Sequence, residues 1–297
     1  MVWATTSGYR GEFALLCALY ALVALGMYVP FVMGGALSLA YAAYVLIGGY
    51  SIALIATKTG WWLGFAFPAA MAISAAVAIV LGVATLRLSG FHLVAVTLLF
   101  SVAFQEFLLT MGFTGGATGI SGIRELHLFG MGLDRNTVIA VAILTVWLVA
   151  ILLSNLRRSP FGTAIRSQRE RRVAVEAAGV TVITLQLVAL GVGAAISSLG
   201  GAFFVLAAGS VHPDLFTLEL VFLVLFMPLL GGQFSPWGSV LGAVLVALFT
   251  FYLTFFKSSG SMFFALAVLA VILIAPGGVL GSVKQLGHRL LPRRRRE

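Results

Sequence analysis

The sequence predicts an all-α fold: a polytopic integral membrane protein with about nine transmembrane helices. Three observations carry that reading. Of the 297 residues, 61% are hydrophobic and only 9% are charged, with a mean hydropathy of +1.11. Apolar runs of roughly twenty residues, enough to cross about 30 Å of hydrocarbon, recur along the whole chain. The short alternating segments of a membrane β-barrel are absent.

The net charge of +9 is clustered. Six basic residues are Arg157, Arg158, Arg166, Arg169, Arg171 and Arg172, and six more are Lys284, Arg289 and Arg293 to Arg296. Cationic clusters beside spans are held on the cytoplasmic side, so both are read as cytoplasmic anchors and neither as a nucleic-acid site. Cys17 is the single cysteine and lies inside the first apolar run. No internal disulfide or thiolate zinc site is expected, and that run is too long for a cleavable leader.

The first span is expected from Glu12 to Met33, with Pro30 kinking its inner end. The second runs from Ala36 to about Ala56, and its small residues suit close helix packing. Lys58 and Trp61-Trp62 mark an interface. The third span follows to Leu86, and Arg87 precedes the fourth. Deep in the fourth lie Gln105 and Glu106, a carboxylate that costs at least ~2.5 kcal/mol to insert unless it faces protein or water. The glycine-rich stretch from Phe113 to Gly122 and the connection to Asn136 are too polar and flexible for a span and are placed outside. The fifth span covers residues 137–155 and the sixth residues 182–208. The apolar stretch 218–230 is short and holds Pro228, so it is expected to be tilted, broken or re-entrant. Spans at 240–256 and 262–275 complete the set. An odd number of crossings with a cytoplasmic C-terminus places the N-terminus outside.

Between the fifth and sixth spans the residues predict a short cytoplasmic helix. Ser159 is a helix cap, Pro160 suits the first turn, nothing from Ala164 to Ala178 breaks a helix, and Gly179 is placed to end it. A basic loop by itself needs only to fix topology. The pattern goes further: Ser159-Pro160-Phe161-Gly162, Ala164-Ile165-Arg166, Arg169-Glu170 and Ala174-Val175-Glu176-Ala177-Ala178-Gly179 together resemble the cytoplasmic loop of the LivM-type permease subunit of branched-chain amino acid ABC importers. Further blocks resemble that family in the same order: residues 35–50, 87–98, 113–122, 211–216 and 231–242. Departures include Arg171 and Arg172 where the family usually has acidic residues, His92 for a common tyrosine, and an acidic position that aligns nearer Val102 than Glu106.

The resemblance implies an ABC importer permease fold with one membrane domain over residues 1–280 and a basic cytoplasmic tail over 281–297. It implies a coupling loop at 157–179, with Phe161, Gly162, Ala164, Arg166, Arg169, Glu170, Glu176 and Gly179 meeting an ATPase. Thr97, Gln105 and Glu106 are the candidates for lining a solute pathway. The implied partners are a second permease, two ATPase subunits, an extracytoplasmic solute-binding protein and the lipid bilayer of a bacterial inner membrane. ATP and Mg would be bound by the ATPases, so no cofactor is expected in this chain. The solute would be a branched-chain amino acid or a related small polar molecule.

The residues also weigh against other chemistry. Neither Lys58-Thr59 nor Lys257-Ser258 is preceded by the glycine of a phosphate-binding loop. The four histidines lack metal-ligand spacing. Gly119-Ile120-Ser121-Gly122 resembles an intramembrane protease motif but sits in a loop, and no histidine lies in a later span to serve as its base. No catalytic residue is expected. A stand-alone secondary transporter or channel remains the alternative, with Glu106 and Glu219 as its few ionisable groups.

Overall fold

In the computed structural model the described residues run from Gly8 to Leu253, apart from 60–62, 86–87, 89, 123–126, 129–130, 133–134 and 216–217. The helices are α1 (Gly8–Met27), α2 (Tyr41–Leu54), α3 (Leu63–Ala84), α4 (Phe91–Thr110), α5 (Arg135–Arg158), α6 (Pro160–Glu170), α7 (Arg172–Ala177), α8 (Val182–Ala208), α9 (Leu218–Gly231) and α10 (Pro236–Leu253). Residues 10–33, 64–84, 91–110, 135–158 and 182–208 form helices long and apolar enough to cross a membrane, and 41–57, 220–231 and 236–251 are shorter apolar helices. The polytopic helical reading therefore holds. The expected span at 262–275, the tail at 281–297, Trp61, Trp62 and Arg87 lie outside the described residues.

The bundle is built around α8, which packs on α1, α2, α3 and α5. In lipid, helices associate by close packing rather than by expulsion of water, so small residues set the distance. A Cβ on Gly48 of α2 would overlap the Ser198 carbonyl, and one on Gly201 of α8 would overlap the Val45 carbonyl. On the α1 side a Cβ on Gly26 would overlap Ser197 Oγ and the Gly193 carbonyl. Ser74 of α3 donates its hydroxyl to the Ala194 carbonyl at 3.1 Å. The small-residue stripe of α8 is thus the surface against which three other helices are seated.

The C-terminal end of α1 differs from a simple kink. Residues Tyr28–Met33 form a π turn, with Gly34 N–H bonded to the Val29 carbonyl at 3.1 Å and Ala36 N–H to the Pro30 carbonyl at 2.8 Å. Pro30 has no N–H to give to the carbonyl four residues earlier, that of Gly26. The hydroxyl of Tyr41 takes that place, 3.5 Å from Gly26 O. The second span also starts later than expected. Gly35 adopts φ +72°, residues 35–39 are non-helical, and α2 begins at Tyr41. Inside the bundle those bare backbone groups need partners. Leu39 N–H finds one in Thr97 Oγ1 of α4, at 2.9 Å.

The predicted loop helix is two helices, broken at Arg171 (φ −142°, ψ 70°). Ile165 and Val175 are both buried. On one continuous helix they would point roughly 80° apart, at about 100° per residue. The break lets both reach the core. Gly179 ends the pair in the left-handed conformation expected of it (φ +80°), with Val180 N–H bonded back to the Val175 carbonyl at 3.3 Å.

Long-range contacts sort the connections into two ends. At one end Arg135 pairs with Glu12 at 3.2 Å, Phe13 meets Phe251, and strand β1 (Ile120–Ser121) pairs antiparallel with β4 (Ser210–Val211). A second short pair, β2 (His127–Leu128) with β3 (Met131–Gly132), lies in the same connection as β1. At the other end α6 meets the π turn and the residue 231–236 turn.

Candidate functional site

Two surfaces collect the residues singled out from the sequence. The first is α4. Its 18-residue apolar core is only 22% buried within the chain, against 83% for α1 and 61% for α8. Phe91, Val96, Leu99, Ala103, Glu106 and Phe107 are exposed along it. Glu106 therefore stands on the outer surface of this chain rather than inside its own bundle, and Gln105 beside it is half-buried. Thr97 faces the other way. It is buried, donates its hydroxyl to the Leu93 carbonyl at 2.8 Å and accepts from Leu39 N–H. Of the three pathway candidates, then, Thr97 is engaged in holding the 35–39 segment, while Gln105 and Glu106 lie toward the open side. One turn beyond Thr97, Ser101 is buried too, and its hydroxyl has no partner among the described residues. Its spacing of four from Thr97 was the available signal for it, since i and i+4 share a helix face.

The second surface is the α6–α7 pair. Ser159 caps α6 as its sequence suggests, accepting from Gly162 N–H at 3.1 Å, and its hydroxyl donates to the Leu156 carbonyl at 2.7 Å. The inward face of α6 is Gly162, Ile165 and Gln168, all buried. The outward face carries Phe161, Thr163, Arg166 and Glu170, with Ala164 half-buried at the margin. Phe161 is 39% exposed and Val173, on α7, is 79% exposed. Glu176 and Gly179 are exposed toward the end of the pair.

Two of the loop residues make contacts within the chain that the sequence did not suggest. The close approach that Gly162 permits is to the chain itself: a Cβ there would overlap the Leu156 carbonyl at the end of α5. Arg169, itself exposed, donates to the Val32 carbonyl at 2.7 Å and to Gln233 Oε1 at 3.4 Å. Sequence reasoning passed over Val173, Gln168 and Gln233. Val173 was hidden because a valine in a helix reads as core, and its exposure follows from the break at Arg171.

Among the described residues no group of three or more His, Cys, Asp or Glu side chains is placed to hold a metal ion. A membrane bundle with a capped, half-apolar helix pair projecting at one end is the geometry on which comparison with known proteins bears. The family model described as "Branched-chain amino acid transport system / permease component" matches residues 9–275. The chain belongs to that family. The match runs from the start of α1 through α6–α7 to beyond α10, so this permease carries both surfaces within the family region.

Individual relatives agree. The permease is 30% identical over 262 residues to the high-affinity branched-chain amino acid transport system permease protein LivM of Salmonella typhimurium and to that of Escherichia coli, a match covering 80% of this chain and 62% of each relative. It is 26% identical over 182 residues to a probable branched-chain amino acid transport permease protein LivM of Methanocaldococcus jannaschii, covering 56% of this chain and 52% of that one. The chain thus spans about three fifths of the length of the first two relatives. No solved structure matches it.

Proposed function

We propose that this permease is the membrane subunit of an ATP-binding-cassette importer and forms, with a second permease, the pathway for a branched-chain amino acid or a related small polar solute. The observation that carries the proposal is the α6–α7 pair: a capped helix that turns Ile165 and Gln168 into the bundle and presents Phe161, Arg166, Glu170 and Val173 outward. An apolar anchor ringed by charge suits a groove on a soluble partner. The relatives' name as transport system permeases supports the same assignment. The exposed face of α4, with Gln105 and Glu106, is then the side that meets the second permease, and the pathway runs between the two.

In this reading the chain does no chemistry of its own. ATP and Mg are bound by two ATPase subunits under α6–α7, and an extracytoplasmic binding protein delivers the solute to the end bearing β1 and β4. The arginine-rich end is cytoplasmic by the positive-inside rule, which sets the N-terminus outside a bacterial inner membrane. Residues 1–280 act as a single permease domain.

The test is a pair of changes in the loop. Phe161→Ala removes the exposed anchor, and losing a well-packed interface aromatic costs on the order of 2 kcal/mol or more, so ATPase retention on the purified complex should fall about thirtyfold. Deletion of residues 160–172 should abolish it. Normal ATPase retention and solute uptake in both variants would reduce the loop to a topology anchor and sink the proposal.

A further inference from the structure

The cytoplasmic reading of α6 raises the question of which helices move with it. Covalently it is joined only to α5 and, through α7, to α8. The geometry points to a third route. We propose that Arg169 is a positioning residue: its guanidinium binds α6 to the π turn of α1 and to the turn between α9 and α10, so that a push on α6 is passed to three further helices. The proposal rests on the importer reading above.

Four observations place Arg169 in this role. Its Nη1 donates to the Val32 carbonyl at 2.7 Å, a short charge-assisted bond. Its Nη2 lies 3.4 Å from Gln233 Oε1, so one planar fork meets two separate elements, which a point-charge lysine does poorly. The carbonyls of Val29, Pro30 and Phe31 are taken by the N–H groups of Gly34, Ala36 and Gly35, and the next, that of Val32, goes to Arg169. Lastly, the stem has a channel: a Cβ on Gly35 would come within 2.8 Å of Arg169 Cγ. Gln168 seats the same turn of α6 beside it. It is 8% exposed, and its Nε2 lies 3.2 Å from where a Gly34 Cβ would stand.

An arginine offered to carboxylates of a partner would leave its guanidinium in the open. Arg169 is exposed, as Arg166 is, but both of its terminal nitrogens are taken by acceptors of this chain, the Val32 carbonyl and Gln233 Oε1. The two arginines divide the work: Arg166 faces the partner and Arg169 faces the bundle.

The first measurement needs no solute. In a Cys17→Ser background, Gln168→Cys is a buried reporter, and inside-out vesicles expose it to an impermeant maleimide. Adding Arg169→Ala should raise its labelling rate about tenfold, the effect of losing a charge-assisted bond, while Arg169→Lys should raise it less and Arg166→Ala should leave it unchanged. An unchanged rate in Arg169→Ala would overturn the proposal. The second measurement uses the reconstituted complex with radiolabelled leucine. Arg169→Ala and Gln233→Ala should keep the ATPase bound and lower uptake per ATP hydrolysed, the arginine change more strongly. Loss of the ATPase from Arg169→Ala would show that the residue serves the partner interface and would also overturn the proposal. Absence of any ATPase on the unaltered chain would instead remove the importer reading, and the labelling result would still decide the arginine's role.

Discussion

Gly48→Ala adds one methyl group at one of the two closest approaches between α2 and α8, the other being Gly201 against Val45. The new Cβ would overlap the Ser198 carbonyl oxygen and stand 2.6 and 2.7 Å from Ser198 C and Cα, where ordinary contact is 3.4–4 Å. Backbone cannot rotate away as a side chain can, so the helices must part by roughly 1 Å. Such a gap forfeits up to about half of each dispersion contact, and some 40 atom pairs at about 0.1 kcal/mol each then lose about 2 kcal/mol. That figure lies within the usual range of about 1–3 kcal/mol for overpacking. The apparent melting temperature of the detergent-solubilised protein should fall by roughly 5 °C. Two glycines calibrate the effect. Gly191→Ala would meet Ile79 Cδ1 at 3.3 Å, a movable methyl, and Gly112→Ala would meet nothing within 4 Å. Both should change the transition little. If Gly48→Ala melts at or above the temperature of the unaltered protein, the α2–α8 contact is not as close as described, and the argument that α8 seats the bundle through its small residues fails.

Two further outcomes follow from α4. Thr97→Val keeps the shape but leaves Leu39 N–H buried without its acceptor, which costs about 1–3 kcal/mol; Thr97→Ser should restore stability, and thermal unfolding distinguishes them. Glu106→Gln should insert normally and lower uptake where the pathway requires a charge on α4; normal uptake at normal protein levels would remove Glu106 from it.

Much of this architecture was legible because a bilayer constrains sequence so strongly. The sixth span was expected at residues 182–208 and α8 occupies that range, since long apolar runs between polar signals admit one reading. The stretch 218–230 was expected to be tilted, broken or re-entrant, and α9 runs through it as one short helix with Pro228 inside. What the one-dimensional pattern lacked was the direction in which side chains point. Gly162 reads as a place where something comes close, and something does, but it is the Leu156 carbonyl of the same chain. Gly162→Asp would therefore wreck the α5–α6 corner before it tested any partner. Arg169 and Arg166 are equivalent by charge and both exposed, and three residues of helix bring the Arg169 guanidinium to the Val32 carbonyl. Glu106 carries a similar lesson. A carboxylate in a span is costly in lipid, which suggests a place inside the bundle, yet Glu106 stands on the outer surface of this chain.

Pro30 shows how a single missing N–H can organise one end of the molecule. An α-helix continued through residue 30 would bond that residue's N–H to the Gly26 carbonyl. Proline cannot, and Tyr41 supplies the donor instead, which places the first residue of α2 against the middle of the α1–α8 contact. A Cβ on Gly193 would lie 3.0 Å from both Pro30 Cδ and the Tyr41 hydroxyl, so the proline, the tyrosine and α8 share one small volume. Past the proline the wider π register carries the chain to Gly34 and Gly35, and the carbonyl of Val32 is left facing α6, where Arg169 meets it. The late start of α2 and the foothold for α6 thus have one cause. A proline near the end of a span is easily read as a local kink; here it supplies the attachment by which α6 is joined to a helix it does not follow in sequence.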